Sequence, residues 1–264
     1  MEARLSLAAA ASGLEWSAPW YLPWQQPGLA ATQALLAGEP VHRALELAAG
    51  SQGAQARPVR FVPQAGLPPG EPYERHVFRT RECPTRDNLH DFFNGVVWLA
   101  FPRAKLRLNA LQAEQIEHQG VGAVRGPVRD AITVFDENGA LLDAPQPLWD
   151  ALLARQWRRL FVELRPLWIH ARLLVFGHAL LEKLAAPRKD LTAHVWRSPA
   201  PLASLEAADA WLQSRLYAAA LASKPFTPLP VLGVPGWWAG NENFSFYADS
   251  EVFRPVRRGG VQCA

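Results

Sequence analysis

Apolar residues recur at helical spacing along much of the chain, and this pattern predicts most of its secondary structure. It predicts one helix over residues 86–101 and a second that begins at Pro102, a residue suited to a first helical turn, and runs to about His118. Apolar positions at the same spacing between Trp149 and Phe161 predict a further helix. The pattern therefore indicates a mainly helical protein.

Prolines, glycines and aromatic rings interrupt the helical pattern in three regions. Residues 1–28 hold three tryptophans, and Pro19 and Pro23 exclude a regular helix over residues 14–28, which predicts a Trp-rich N-terminal arm packed on the protein. Residues 51–72 are rich in proline and glycine and predict a loop, with a short strand over residues 59–62. Residues 225–264 predict a loop-rich C-terminal tail that packs on the domain.

The clearest β pattern lies in residues 132–142, where two apolar runs flank the Asn-Gly pair at 138–139. This pair between apolar runs predicts a hairpin with a two-residue type I′ turn. The acids before it, Asp136 and Glu137, are expected to face water at the hairpin tip. A further short strand is expected over residues 73–79, so the predicted β content is small.

Helical patterns return in the second half of the chain. Residues 167–185 are apolar on nearly every side and predict a buried helix. Ser204 is a suitable N-cap for a helix over residues 205–222, and residues 29–50 also predict helix. The predicted fold class is therefore α+β, a mainly helical single domain over residues 1–264 with a small β-hairpin or short sheet.

Composition narrows the class of protein. The 264 residues are 49% hydrophobic, which excludes a disordered chain because such a chain cannot bury enough apolar surface. The net charge is only +3, with acids interleaved among the basic residues, which argues against nucleic acid as a partner. No uncharged apolar run reaches the roughly 18 residues of a membrane span. The N-terminus also lacks the pattern of a secretory signal, so we expect a cytoplasmic protein without a membrane partner.

The strongest candidate for chemistry is the segment around His90. On a helix, Asp87, His90, Asp91 and Asn94 fall on one face, and apolar residues continue that face in the next turns. A histidine beside carboxylates in such surroundings is typical of a general base or a metal ligand. We assign candidate catalytic roles to His90 and Asp91 and candidate substrate-binding roles to Arg86 and Asn94. The alternative is helix capping and hydrogen bonding within the core.

Two further segments carry candidate residues. Asp130 comes just before the predicted strand and is a candidate catalytic residue, and Arg129 beside it is a candidate clamp for an anion. A structural ion pair explains these two residues equally well. His178 and Glu182 are four residues apart on one helix face, as a pair of metal ligands requires. The alternative for His178 is a buried, hydrogen-bonded core residue.

A set of motifs between Cys83 and Pro255 is distinctive in combination. The motifs occupy residues 83–94, 98–102 with Lys105 and Asn109, 129–139, 176–183, 232–237, 246–247 and 253–255. Together they resemble those of a bacterial family of uncharacterised proteins, the domain of unknown function 3025 family. The resemblance implies one full-length domain in a bacterial cytoplasm, and it carries no assigned activity.

Two classes of function fit these observations. The leading hypothesis is a metal-assisted hydrolase that acts on an anionic, phosphorylated substrate, with a divalent metal as cofactor and a small anionic ligand as partner. The alternative is a non-catalytic binding or regulatory protein that uses its Trp-rich loops and arginines. The first hypothesis requires His90 to lie close to Asp130 or His178. Scattered polar groups without a shared cavity would favour the second.

Overall fold

The computed structural model describes residues 2–51, 58–119, 126–198 and 202–255. Helices surround two small sheets, which confirms the predicted α+β, mainly helical fold class. The buried side chains form a connected hydrophobic core that extends from Leu7 to Phe253. Residues 52–57 of the predicted loop and residues 256–264 of the predicted tail lie outside the described residues.

The helices form most of the described structure. They are α1 (Glu2–Ser12), α2 (Gln25–Leu36), α3 (Val41–Ser51), α4 (Tyr73–Thr80), α5 (Leu89–Ala100), α6 (Pro102–Gln119), α7 (Pro127–Asn138), α8 (Gln146–Leu153), α9 (His178–Lys183), α10 (Leu205–Arg215) and α11 (Ala218–Ala222). Asn88 caps α5 by accepting a hydrogen bond from the backbone N–H of Asp91. Ser204 caps α10 in the same way, as predicted. Among the described helices, none has the length and apolar character needed to cross a bilayer.

The strands form two separate sheets. They are β1 (Arg60–Pro63), β2 (Glu82–Thr85), β3 (Gly139–Asp143), β4 (Arg172–Val175), β5 (Thr192–Arg197) and β6 (Thr227–Pro230). β1 and β2 pair in parallel, and β1 confirms the strand predicted near residue 60. The larger sheet has the order β4-β3-β5-β6, with β3 antiparallel to β4 and parallel to β5. Ala140, Leu141 and Leu142 of β3 are all buried, so both faces of this strand are covered.

The hairpin predicted over residues 132–142 is wrong. Its first half belongs to helix α7, and only β3, from Gly139 onward, is a strand. The helix buries Ala131, Ile132 and Phe135, which lie on one helical face, and this packing outweighs the strand preference of its β-branched residues. Asp136 and Glu137 therefore lie in the last turn of α7 and not in an exposed hairpin turn.

The continuous helix predicted over residues 167–185 is also wrong. The chain instead forms a 3-10 segment (Arg165–His170), strand β4 and the short helix α9. A short apolar run suits a buried strand as well as a buried helix, and here it pairs with β3. Gly177 then allows α9 to lie close to α7, because a Cβ at this position would be 2.5 Å from the carbonyl oxygen of Glu137.

Three smaller predictions need correction. The strand expected over residues 73–79 is helix α4, and its Arg81 C-cap has a positive φ. The helix expected over residues 29–50 is two helices, α2 and α3. The helix expected over residues 205–222 breaks after Arg215 into α10 and α11. By contrast, α5 and α6 confirm the two helices predicted on either side of Pro102.

The region between the first two helices is irregular and aromatic. Trp16, Trp20 and Trp24 are buried, and Leu22–Trp24 forms a single 3-10 turn. The rings of Tyr21 and Phe93 stack with centroids 5.6 Å apart, so this region packs on α5. The tryptophans therefore contribute to the core of the protein.

Candidate functional site

A cavity of about 320 Å³ lies where α4, α5, α6 and α7 meet the start of α9. This volume suits a small molecule. Polar side chains from each of these helices line it, and the apolar side chains of Trp98, Leu108 and Ile132 complete part of its wall. The cavity therefore joins segments that are distant in sequence.

Two histidines face each other in the wall of the cavity. Nε2 of His178 is 3.1 Å from Nε2 of His90, and Nδ1 of His90 is 2.9 Å from a carboxylate oxygen of Glu182. The tautomer of His90 that donates from Nδ1 to Glu182 directs the lone pair of Nε2 toward His178. Two lone pairs repel at this distance. Either Nε2 of His178 therefore donates a hydrogen bond to Nε2 of His90, or the two imidazoles bind a common cation.

Glu137 completes a cluster with the two histidines. Its Oε1 is 3.8 Å from Nε2 of His178, and one ligand atom from each of His90, Glu137 and His178 lies within 4.8 Å of the other two. A tetrahedral zinc ion with bonds of about 2.0–2.1 Å holds its ligand atoms roughly 3.3 Å apart. Two imidazoles and one carboxylate also form the donor set of some catalytic zinc sites. The cluster is a candidate metal centre.

The environment of the cluster shifts the pKa values of its members in different directions. Burial lowers the pKa of His178 to about 4, so this imidazole is neutral near neutral pH. The hydrogen bond that His90 donates to Glu182 raises the pKa of His90 above its ordinary value. Burial, together with the charge of Asp136, raises the pKa of Glu137. Burial thus disfavours the ionised form of Glu137, and a nearby cation would stabilise that form.

A buried lysine links the cluster to the rest of the cavity. Nζ of Lys105 donates hydrogen bonds to Asp136 (2.6 Å) and to the side-chain oxygen of Asn94 (2.9 Å). The other carboxylate oxygen of Asp136 is 3.7 Å from Nδ1 of His178. Burial raises the pKa of Asp136, but the charge and the hydrogen bond of Lys105 outweigh burial and the net pKa is lowered. Asp136 is therefore an anion between Lys105 and His178.

Arg86 and Asp91 form an ion pair at the wall of the cavity. Nη2 and Nε of Arg86 donate to the two carboxylate oxygens of Asp91 at 2.8 and 3.1 Å, and the Arg86 backbone N–H donates as well. The Asp91 side chain is largely buried, whereas that of Arg86 is largely exposed. Asp91 therefore fixes the chain around the start of α5.

The structure brings some of the sequence-predicted residues together and leaves others apart. Residues Arg86, His90, Asp91, Asn94 and His178 all line the cavity, and Glu182 contacts His90 from behind. Asp130 instead contacts Lys224 at 2.7 Å, and both side chains are exposed. Arg129 and Asp130 are not among the described residues that line the cavity. The first and third candidate segments thus converge, whereas the second does not reach the cavity; the same helix, α7, reaches it at its other end through Asp136 and Glu137.

Sequence reasoning missed Asp136 and Glu137 as cavity residues because it placed them in an exposed turn. The signal that could have found them is the proline at the start of α7, which suits a first helical turn and is followed by apolar residues at helical spacing. Only the family resemblance pointed to Lys105 and Asn109, and both residues line the cavity.

The Trp-rich segments do not form an exposed aromatic surface in the described structure. Trp237 packs against Trp20 with ring centroids 6.2 Å apart and is only partly exposed. Trp238 is 36% exposed, and Trp16 and Trp24 are buried. The rings therefore stabilise the fold, and the polar cavity is the stronger candidate for function.

The fold and the cavity define an α+β, mainly helical protein with a candidate metal centre. The family model described as "Protein of unknown function (DUF3025)" matches residues 59–257, and the chain belongs to this family. This match confirms the resemblance drawn from the motifs, and the matched range contains all residues that line the cavity. Neither the curated proteins nor the solved structures gave a match.

Proposed function

We propose that this protein is a metal-dependent hydrolase in which His90, Glu137 and His178 hold a divalent cation. The observation that carries the proposal is the 3.1 Å separation of the two Nε2 atoms, with a carboxylate 3.8 Å from one of them, in the wall of a small-molecule cavity. Catalytic zinc sites use three protein ligands of these types and keep one position for water or substrate.

The charges that line the cavity support a bound cation. The cavity has four carboxyl groups and two cationic groups, an excess of 4 − 2 = 2 negative charges when all are ionised: Glu74, Asp91, Asp136 and Glu137 against Arg86 and Lys105. The two cationic groups already contact two of the carboxylates. Of the two remaining carboxyl groups, Glu137 belongs to the proposed centre, where a divalent cation would balance its charge and lower the cost of keeping it buried.

The residues around the centre have distinct roles in this proposal. When bound, the cation would lower the pKa of a bound water and polarise the bond to be cleaved. Glu182 accepts the Nδ1 hydrogen of His90 and fixes the orientation of that ring. One carboxylate oxygen of Glu137 would hold the cation, and the other would accept a proton from the attacking water and return it to the leaving group. Two of the three N–H groups of Lys105 bond to Asp136 and Asn94, and the third donates to the substrate oxygen that gains charge.

The substrate predicted from the sequence has less support than the metal. Arg86 already bonds Asp91 with two of its nitrogens, and Lys105 bonds Asp136, so the cavity has no cluster of cations comparable to a typical phosphate site among its described residues. A phosphorylated substrate therefore remains one arm of the test, beside esters and amides.

The metal content of the purified, untagged protein tests the centre. We expect about one equivalent of a divalent transition metal in the parent protein and its loss in His90→Ala and His178→Ala. His170→Ala is the matched control, because His170 is exposed and is not a described cavity residue. A folded parent protein that binds neither zinc, manganese, cobalt nor iron at micromolar concentration would refute the proposal.

Hydrolysis is tested separately with aryl esters, anilides, phosphomonoesters and phosphodiesters. We expect activity toward at least one class that a chelator removes, that added metal restores, and that His178→Ala lacks. Activity that survives both chelation and His178→Ala would arise elsewhere and would contradict the proposed centre.

A further inference from the structure

A second group of polar residues, on α4 and α6, lines the same cavity. Nδ2 of Asn109 donates hydrogen bonds to both the backbone oxygen (2.8 Å) and the Oε2 atom (2.7 Å) of Glu74. Asn109 and Gln112 follow Lys105 on α6 and line the same cavity. With a rise of 1.5 Å per residue, they lie about 6 and 10 Å beyond Lys105 along the helix. We call Glu74, Asn109 and Gln112 the acceptor end.

The acceptor end has buried oxygens without donors. Oδ1 of Asn109 and Oε1 of Gln112 have no hydrogen-bond partner in the described part of the chain, and Asn109 is only 2% exposed. The two bonds from Nδ2 of Asn109 to oxygens of Glu74 fix which amide atom is the oxygen. A buried acceptor without a donor loses its hydrogen bonds to water without compensation, so such atoms usually have a partner. Their position in the cavity wall indicates a partner that carries N–H groups.

The charge at this end points to the same kind of partner. Asp91 and Asp136 each contact a cationic side chain, whereas Glu74 has no ion pair within the described residues. Burial, followed by the charge of Asp136, raises the pKa of Glu74, and the charges of Lys105 and Arg129 offset only part of this rise. A cation placed at this end would remove that penalty and would also donate to the neighbouring amide oxygens.

We propose that Glu74, Asn109 and Gln112 form a subsite for a cationic N–H group of the substrate, an ammonium or a guanidinium. This inference rests on the proposed function, because it assigns the opposite end of the same substrate to the metal centre. The substrate class is then an ester or amide with a cationic group several bonds from the cleaved bond. Its hydrolysis consumes one water and yields an acid and an alcohol or amine.

Linear hydroxamates test the subsite, because the hydroxamate binds a metal and the far end of the chain can be varied. We would use three series with ammonium, methyl or carboxylate ends and spacers of three to six methylene groups. Binding to the zinc-loaded parent protein is measured by calorimetry. At the best spacer length we expect the ammonium probe to bind at least about tenfold more tightly than the methyl probe, because hydrogen bonds to charged groups are strong. The carboxylate probe should bind most weakly.

Variants at the acceptor end test whether these residues cause the preference. In Glu74→Gln, the ratio of the ammonium to the methyl affinity should fall to about one, and in Gln112→Leu it should fall by severalfold. Glu114→Gln is the matched control, since Glu114 is an exposed acid on the same helix and should leave the ratio unchanged. Metal content is measured for every variant, so that loss of the metal is not mistaken for loss of the subsite.

The outcomes separate the inference from the proposed function. Equal affinity for the three end groups, or tighter binding of the carboxylate, would overturn the cationic subsite while the metal centre stands. A parent protein that binds neither metal nor any hydroxamate would overturn the proposed function and the subsite with it. If Glu74→Gln fails to fold, the three probes on the parent protein and Gln112→Leu still decide the question.

Discussion

His90 and His178 are 88 residues apart in sequence, and their Nε2 atoms lie 3.1 Å apart in the structure. His90 is near the start of α5 and His178 is the first residue of α9. Two imidazole nitrogens at this distance are held together either by a hydrogen between them or by a common cation. A proton and a metal ion therefore compete for the same position between the two rings. This competition makes the proposed metal centre sensitive to pH.

We expect the affinity for zinc to fall by about tenfold per pH unit as the pH decreases below the pKa of His90, which corresponds to one displaced proton. The hydrogen bond to Glu182 raises the pKa of His90, so in the metal-free protein this ring keeps its proton to a higher pH than a free histidine. The pKa of His178 is about 4, so this ring contributes no proton near neutral pH. Competition with a chromophoric chelator between about pH 6 and 8 measures the slope. A slope of zero would contradict the competition.

Glu182 should control metal affinity without binding the metal. Glu182→Leu removes the acceptor for Nδ1 of His90, and we expect zinc affinity to fall by about 10- to 100-fold, as for other residues that orient a ligating histidine. Glu182→Gln keeps an acceptor oxygen and should have the smaller effect. Glu163→Gln serves as the control, because Glu163 is an exposed acid outside the described cavity lining. Equal affinities in all four proteins would remove Glu182 from the centre.

Gly177 should be intolerant of even a methyl group. A Cβ there would lie 2.5 Å from backbone atoms of Glu137 and Asn138, so Gly177→Ala must push α9 away from α7. We expect a loss of about 1–3 kcal/mol in the free energy of unfolding and weaker metal binding. At Gly13 a Cβ makes only ordinary contacts, at 3.5 Å or more, so Gly13→Ala is the control. Urea denaturation and metal analysis measure the two effects, and unchanged values would refute the close approach.

Cys83 should be unreactive in the folded protein. It is 2% exposed, and burial raises the pKa of its thiol to about 12, so little thiolate forms at pH 8. In a Cys263→Ser background, we expect iodoacetamide to leave the native protein unlabelled over a period that fully labels glutathione. The same protein in guanidinium chloride should be labelled completely. Rapid labelling without denaturant would show that Cys83 is accessible.

The sequence predicts the helices that begin and end at clear local signals. Pro102 separates α5 from α6, and Ser204 caps α10, so these boundaries depend on residues close by in the chain. The face that carries His90 and Asn94 was predicted for the same reason, since one helix places both residues in the cavity.

The rest of the site depends on packing between distant segments. The run around Ile132 has β-branched residues typical of a strand, and its burial against the core outweighs that preference. The position of Glu137 beside His178 follows from the close contact of α7 with Gly177. The proline at the start of α7 and the helical spacing after it could indicate the helix, but neither contact leaves a local sequence signal that would place Asp136 and Glu137 beside His178.

The three residues of the candidate centre come from helices α5, α7 and α9, which the chain completes at widely separated points. No fragment that ends before α9 contains all three residues, and in the unfolded chain they are far apart in sequence and not held close to one another. Metal capture should therefore occur only after the last of these helices has docked. A metal-sensitive signal would then report the final stage of folding, and it would distinguish the native protein from partly folded chains of similar helical content.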